Sequence, residues 1–143
     1  MRILCLDVGE KRIGVAVSDE LGITAQGLGT VERKQNSKDE DIEEIRKIVE
    51  KYNVDKIILG LPKNMDGTLG QSGKMVEDYA KKLQSCLNID LGFWDERLST
   101  VSAERVLIDA DISRKKRKSV IDKLSAVIIL QSYLDYKSRV DTM

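Results

Sequence analysis

The sequence predicts an α/β fold: a five-stranded mixed sheet with helices on both faces, forming one domain over residues 1–138 with a short C-terminal tail at 139–143. Three observations carry this. Aliphatic stretches at 2–8 and 13–18 flank a Gly9-Glu10-Lys11-Arg12 turn, and a third strand-like stretch follows at 23–31. From residue 37 on, helical periodicities alternate with short apolar strands, the pattern of βα crossovers. No internal repeat, low-complexity linker or shift in composition marks a second domain in 143 residues.

The elements follow in order. The turn Asp19-Glu20-Leu21-Gly22 leads into the third strand, whose Gly27 and Gly29 suggest a bulge or an edge. Ser37-Lys38-Asp39-Glu40 has the capping-box pattern, and Ile42, Ile45, Ile48, Val49 and Tyr52 then repeat at helical spacing. Residues 55–60 form a short strand of the kind buried in a parallel sheet, and a polar loop runs from Leu61 to Gly70. A second helix is expected over 71–87, with Met75, Val76, Tyr79, Ala80 and Leu83 inward, and a fifth strand over 89–94. The stretch Asp95 to Thr100 leads into a third helix carrying Ala103, Val106, Leu107 and Ala110. Asp111 to Lys118 lacks apolar periodicity and reads as a mobile basic segment. Ser119 then opens a last helix, apolar at Val120, Leu124, Val127, Ile128 and Leu134 and fraying near Ser138.

Composition excludes several chemistries. Lys plus Arg at 24 balances Asp plus Glu at 24, so affinity for nucleic acid requires a local basic patch. There is no histidine, which removes the commonest general base, the usual zinc sites and every Ser/His or Cys/His nucleophile. Catalysis then rests on carboxylates, Lys or Arg, and water activated by metal. Cys5 and Cys86 read as reduced packing residues of a cytoplasmic protein. Asp7 interrupts the apolar stretch that a secretory leader needs, and the longest pure apolar run is Ala126 to Leu130, so neither a leader nor a membrane span is expected.

Asp7 is the anomaly of the first strand. Alternation puts it on the face of Ile3 and Cys5, where an unpaired carboxylate would cost roughly several kcal/mol of desolvation. Either it pairs with the turn amides, Lys11 or Arg12, or it binds a cation while Gly9 admits a ligand to the backbone. In a parallel sheet the C-terminal strand ends share one edge. Here that edge would collect Asp7, the loop containing Lys63, Asn64, Asp66 and Thr68, and Asp95-Glu96-Arg97. Carboxylates gathered there without histidine repel unless a hard cation such as Mg²⁺ lies between them. Asp122 is a possible third acid, but Ser119-x-x-Asp122 reads equally as a helix cap. Lys11, Arg12, Lys63 and Arg97 are placed to meet phosphates, or to pair with neighbouring acids. Arg114, Lys115, Lys116, Arg117 and Lys118 form the one dense cationic run, a solvated loop or a salt-sensitive nucleic-acid contact. Gly73-Lys74 fails as a P-loop end, because Thr68 holds the first glycine position and Met75 follows the lysine.

Four blocks then occur together in order: Asp7-Val8-Gly9 with Lys11-Arg12-Ile13-Gly14-Val15-Ala16; Gly60-Leu61-Pro62 with Asp66-Gly67-Thr68; Asp95-Glu96-Arg97-Leu98-Ser99-Thr100; and the late Asp122. This set resembles the YqgF/RuvX family over nearly the whole chain. Members are described as Holliday junction resolvases, are associated with maturation of the 5′ end of pre-16S ribosomal RNA, and have an RNase H-like fold. The resemblance implies a hydrolase: a nuclease dependent on Mg²⁺ or Mn²⁺, with Asp7, Glu96 and Asp122 as catalytic metal ligands and Asp95 capping or orienting. It implies a cytoplasmic role in ribosome biogenesis with pre-rRNA as the substrate. A junction resolvase acting on branched DNA in recombination and repair is the alternative, and it asks for a symmetric homodimer, against which a monomer would count. A non-catalytic nucleic-acid-binding factor in RNA metabolism or transcription is the alternative outside enzymes.

Overall fold

The computed structural model describes residues 1–33, 39–99 and 114–141, and side chains over 1–33, 39–98 and 124–140. Its elements are β1 (Ile3–Val8), β2 (Arg12–Ser18), β3 (Ala25–Glu32), α1 (Glu40–Tyr52), β4 (Lys56–Leu61), α2 (Gln71–Cys86), β5 (Asp90–Asp95), a 3-10 turn (Glu96–Ser99) and α3 (Arg114–Asp141). The strands form one sheet in the order β3-β2-β1-β4-β5. β1, β2 and β3 are antiparallel neighbours, whereas β4 runs parallel to both β1 and β5. The third strand is an edge, as its glycines suggest, and the register shifts between Val15 and Ala16 opposite Gly27 and Gly29.

Strand alternation sorts side chains into two cores. Leu4, Leu6, Val8, Ile57, Leu59 and Leu61 pack against Ile42 and Ile45 of α1 and against Val76, Tyr79, Ala80 and Leu83 of α2. Ile3, Cys5, Ala16 and Ile58 meet Ala126, Ile129, Leu130 and Leu134 of α3 on the opposite face. Gln131 fastens α3 to the edge strand: its side-chain oxygen accepts from the Ala25 amide at 2.9 Å, and its side-chain nitrogen donates to the Ile23 carbonyl at 2.9 Å. Cys5 and Cys86 are free thiols. Among the described residues no helix is long and apolar enough to cross a membrane.

Three expectations change. First, Arg114 to Lys118 already lie within the last helix, which the sequence opens only at Ser119, so the basic run is helical and Asp122 lies more than two turns inside, beyond any capping position. Lys and Arg are good helix formers, and that propensity outweighs the absence of apolar periodicity. The helix also continues past Ser138 to Asp141. Second, its buried stripe is Ala126, Ile129, Leu130 and Leu134, while Leu124, Val127 and Ile128 are only partly covered. A run apolar on all sides leaves the face undecided until the sheet selects one. Third, α1 starts after Asp39, which adopts a left-handed conformation and makes no side-chain cap bond. Ser37 and the expected helix carrying Ala103, Val106, Leu107 and Ala110 lie outside the described residues.

Candidate active site

Asp7 sits next to last in β1, paired in register with Gly14 of β2. Beside it, β4 brings Gly60 to the same level, since Leu6 pairs with Leu59 one step earlier. Gly60 in turn pairs with Trp94 of β5, and Leu61 with Asp95. The alternation that turns Ile3 and Cys5 toward α3 turns Asp7 that way also, and Glu96, two past Trp94, follows the same period. Glu96 and Asp7 therefore meet across β4 and share a hydrogen bond.

Glycine at position 60 makes that meeting possible. A Cβ there would lie 2.7 Å from Glu96 Oε1, 3.1 Å from Glu96 Cγ and 2.8 Å from Ile129 Cδ1. The carboxylate thus occupies the space of a missing side chain, enclosed by β1, β4 and α3. Burial above all, then the Asp7 charge and hydrogen bond, and last Asp95, push the Glu96 carboxyl from the usual 4.5 up to about 8. Burial, followed by the Asp7 and Glu96 charges, raises the Cys5 thiol and keeps it protonated.

The adjacent Asp95 is engaged differently. Arg97 Nε donates to both its oxygens at 3.1 Å, Arg97 Nη2 donates to Oδ2 at 2.7 Å, and the Arg97 amide donates to Oδ1 at 3.0 Å. These bonds hold the Asp95 carboxyl below its usual range, with nearby Lys63 a smaller contributor. Arg97 Nη1 also reaches the Asn64 and Met65 carbonyls at 3.3 and 3.4 Å. The two consecutive acids thus divide: Asp95 is bound to Arg97, and Glu96 faces Asp7.

The remaining candidates fall on the same edge or beyond view. Lys11 is exposed at the β1–β2 turn, and Arg12 opens β2 opposite Glu32. That turn is tight: the Gly9 amide donates to the Arg12 carbonyl at 2.8 Å, and a Cβ on Gly9 would lie 2.8 Å from the same oxygen. Arg33 braces it, donating to the Gly9 carbonyl at 2.8 Å while its guanidinium lies 4.9 Å from the centre of the Tyr79 ring. Arg97 is a phosphate contact by expectation, but in the structure it is committed to Asp95 and the β4–α2 loop. The side chains of Asp122 and of Arg114 to Lys118 lie outside the described residues, although their backbone belongs to α3. Among the described residues no group of three or more His, Cys, Asp or Glu side chains is placed to hold a metal ion. Asp7 and Glu96 are two.

Two contributors escaped the sequence reading. Gly60 carried a usable signal, because a glycine closing a buried apolar strand marks a close approach. Arg33 carried none, since one cation after an edge strand reads as surface.

A pH dependence follows from Glu96. Without divalent ions the folded protein retains a proton on this carboxyl that the unfolded chain releases near 4.5, so the native state binds more protons between 4.5 and about 8. Stability should therefore fall as pH rises through that window, by up to a few kcal/mol. Urea unfolding in chelator at pH 5 and pH 8 reads this directly; Asp7→Asn should reduce the difference without erasing it, because burial remains. A flat profile would mean that Glu96 is not held protonated against Asp7.

The same fold occurs in Thermus thermophilus RuvC in complex with a Holliday junction substrate, with a TM-score of 0.60 at 11% identity over 99% of this chain and 97% of that one. A second structure of Thermus thermophilus RuvC gives 0.57 at 10% identity. An RNase H-like sheet with two acids meeting at the C-terminal ends of its parallel strands defines the class by its fold. Within it the chain belongs to the family described as "RuvX: Holliday junction resolvase", whose model matches residues 1–136. Relatives from Bacillus cytotoxicus and Bacillus cereus, 55% and 56% identical over 96% of this chain and all of their own length, carry the name "Putative pre-16S rRNA nuclease".

Proposed function

We propose that this protein is a metal-dependent endonuclease that processes the 5′ end of pre-16S ribosomal RNA in the cytoplasm. The observation that carries the reading is the Asp7–Glu96 pair in the space left by Gly60: two half-buried carboxyl groups pressed together at the strand ends, an arrangement that a divalent cation would relieve. Their donor set, hard carboxylate oxygens without nitrogen or sulfur, fits Mg²⁺ or Mn²⁺. Asp122 is the proposed third ligand; its backbone lies in α3, one turn before Ala126 of the stripe that faces the sheet. When bound, such an ion supplies Lewis acidity, lowering the pKa of a water for attack on phosphorus and offsetting charge on the leaving oxygen.

The chain's own residues do the rest. Asp7 and Glu96 would hold the ion from the ends of two strands, on either side of β4. Lys11, Arg12 and Lys63 lie along the same edge, where cations would guide the phosphodiester backbone to the acids. Arg114 to Lys118, whose backbone belongs to α3, are proposed as a further phosphate contact. Replacing those five by Gln should weaken RNA binding and flatten its dependence on salt, by roughly 0.7 in the log–log slope for each single-strand phosphate no longer neutralised. An unchanged slope in a filter-binding titration would remove the segment from the interface.

The names of the relatives favour ribosomal RNA, and the family description favours a second reading, resolution of branched DNA. The deciding experiment offers purified protein a labelled pre-16S 5′ fragment and a four-way DNA junction, each with Mn²⁺, Mg²⁺ or chelator. Metal-dependent cutting of the RNA supports the proposal, selective cutting of the junction favours the resolvase, and binding without cutting of either replaces both with a binding factor.

A further inference from the structure

The loop between β4 and α2 holds an apolar side chain in solvent and is tied to the turn that follows β5. Met65 is 98% exposed. One exposed apolar residue on a surface needs no explanation by itself. This one stands on a braced loop. The Asn64 amide donates to the Thr68 carbonyl at 2.9 Å, and the Gly67 amide to the Asn64 carbonyl at 2.9 Å. Asp66 Oδ1 accepts from the Thr68 amide at 3.0 Å and from its hydroxyl at 2.6 Å, while Asn64 Nδ2 donates to Thr68 Oγ1 at 3.0 Å. Arg97 then fastens the tip, through the Asn64 and Met65 carbonyls, to the turn that carries Glu96. Next to Arg97 in that turn, Leu98 is a second large apolar side chain, 65% exposed. Its carbonyl accepts from Ser132 Oγ of α3 at 3.4 Å, so this turn is anchored too.

Two large exposed apolar residues therefore stand on either side of the Arg97 tether, one on the loop it fastens and one next to it in the turn that carries Glu96, on backbone held by hydrogen bonds. Neither suits a phosphate. Both suit the face of an unstacked nucleobase, against which a thioether or branched alkyl group packs well, as apolar wedges do when they enter a base step.

We propose that Met65, supported by Leu98, is a nucleobase-contact residue that holds an unpaired base next to the scissile phosphate. This rests on the nuclease reading above and adds a substrate feature to it: the strand is recognised as unpaired at the cut, with one base turned out of the stack. Arg97 is then a positioning residue. Through Asp95 and the loop carbonyls it fixes the distance between the base contact and Glu96, in place of binding phosphate.

The test uses the full-length protein and the pre-16S 5′ fragment, with the cut first mapped using wild-type protein. A fragment with 2-aminopurine beside the mapped cut is then titrated in chelator, so that fluorescence reports unstacking without cleavage. Wild-type protein should raise the fluorescence; Met65→Ala should lose most of that rise, and Met65→Phe should keep it. In cleavage, Met65→Ala should raise KM about 10-fold, a change equivalent to roughly 1.4 kcal/mol, with kcat changed much less. Removing the base on either side of the cut should identify the contacted one by costing wild-type protein a similar factor and Met65→Ala little more. Equal fluorescence and equal KM for wild type and Met65→Ala, in a protein that cuts the RNA, would overturn this proposal alone. A wild-type protein that neither binds nor cuts the fragment would overturn the ribosomal RNA reading and this proposal with it.

Discussion

Replacing Asp7 by Asn is expected to abolish metal-dependent cleavage, a loss on the order of 100-fold or more, while leaving nucleic-acid binding nearly intact. The expectation comes from position. Asp7 stands on a central strand with neighbours on both sides, so no backbone shift can bring another acid into its place. Asn preserves the shape and one carbonyl oxygen but removes the charge that a hard cation requires. It also relieves the repulsion against Glu96, so the variant should be no less stable than wild type, and slightly more stable at pH 8. Loss of activity in a stable, RNA-binding protein separates a ligand from a structural residue. Unchanged cleavage would dissolve the site.

The second large effect is expected at a residue with no chemistry of its own. Gly60→Ala places a methyl group where Glu96 Oε1 and Ile129 Cδ1 now lie, at 2.7 and 2.8 Å. Both atoms end flexible side chains, so the fold can yield, at a cost of about 1 kcal/mol. The carboxylate cannot yield without leaving Asp7. Cleavage should therefore fall by at least about 10-fold while the unfolding transition shifts only slightly, since a displacement of about 1 Å at a catalytic group is enough for such a loss. Parallel measurement of kcat/KM and urea midpoint checks this. A variant that keeps full activity would show that Glu96 does not need the Gly60 space, and a variant that fails to fold would show a packing role in its place.

How far these residues were visible in the sequence varies for physical reasons. Asp7 was legible because strand alternation turns a charge toward a core, which demands a partner. The sheet was legible because hairpin turns, amphipathic helices and buried parallel strands have distinct periods; the order β3-β2-β1-β4-β5 was not, since periodicity does not say that β4 joins β1 and leaves β3 at the edge. Residue type and spacing did not separate Asp95 from Glu96, since consecutive residues at a strand end point to opposite sides and both fit either role; only the family resemblance selected Glu96. In three dimensions Arg97 engages Asp95 while Glu96 meets Asp7, which is a geometric reason to propose Glu96 as the ligand. The pairing of Arg97 with Asp95 was open in the sequence, because a cation beside acids fits a phosphate contact and an ion pair equally well. The basic run of α3 misled, because adjacent cations look like an unstructured run although each is a good helix former.

Everything proposed for the chemistry depends on Asp7 and Glu96 holding a divalent cation together. Titrating wild-type protein, Asp7→Asn and Glu96→Gln with Mn²⁺, and following free Mn²⁺ by electron paramagnetic resonance, tests this without reference to any substrate. The wild type should show a site whose affinity falls by about 10-fold or more in each variant, as expected when a charged ligand is removed. Equal Mn²⁺ affinity in all three proteins would contradict a shared metal site.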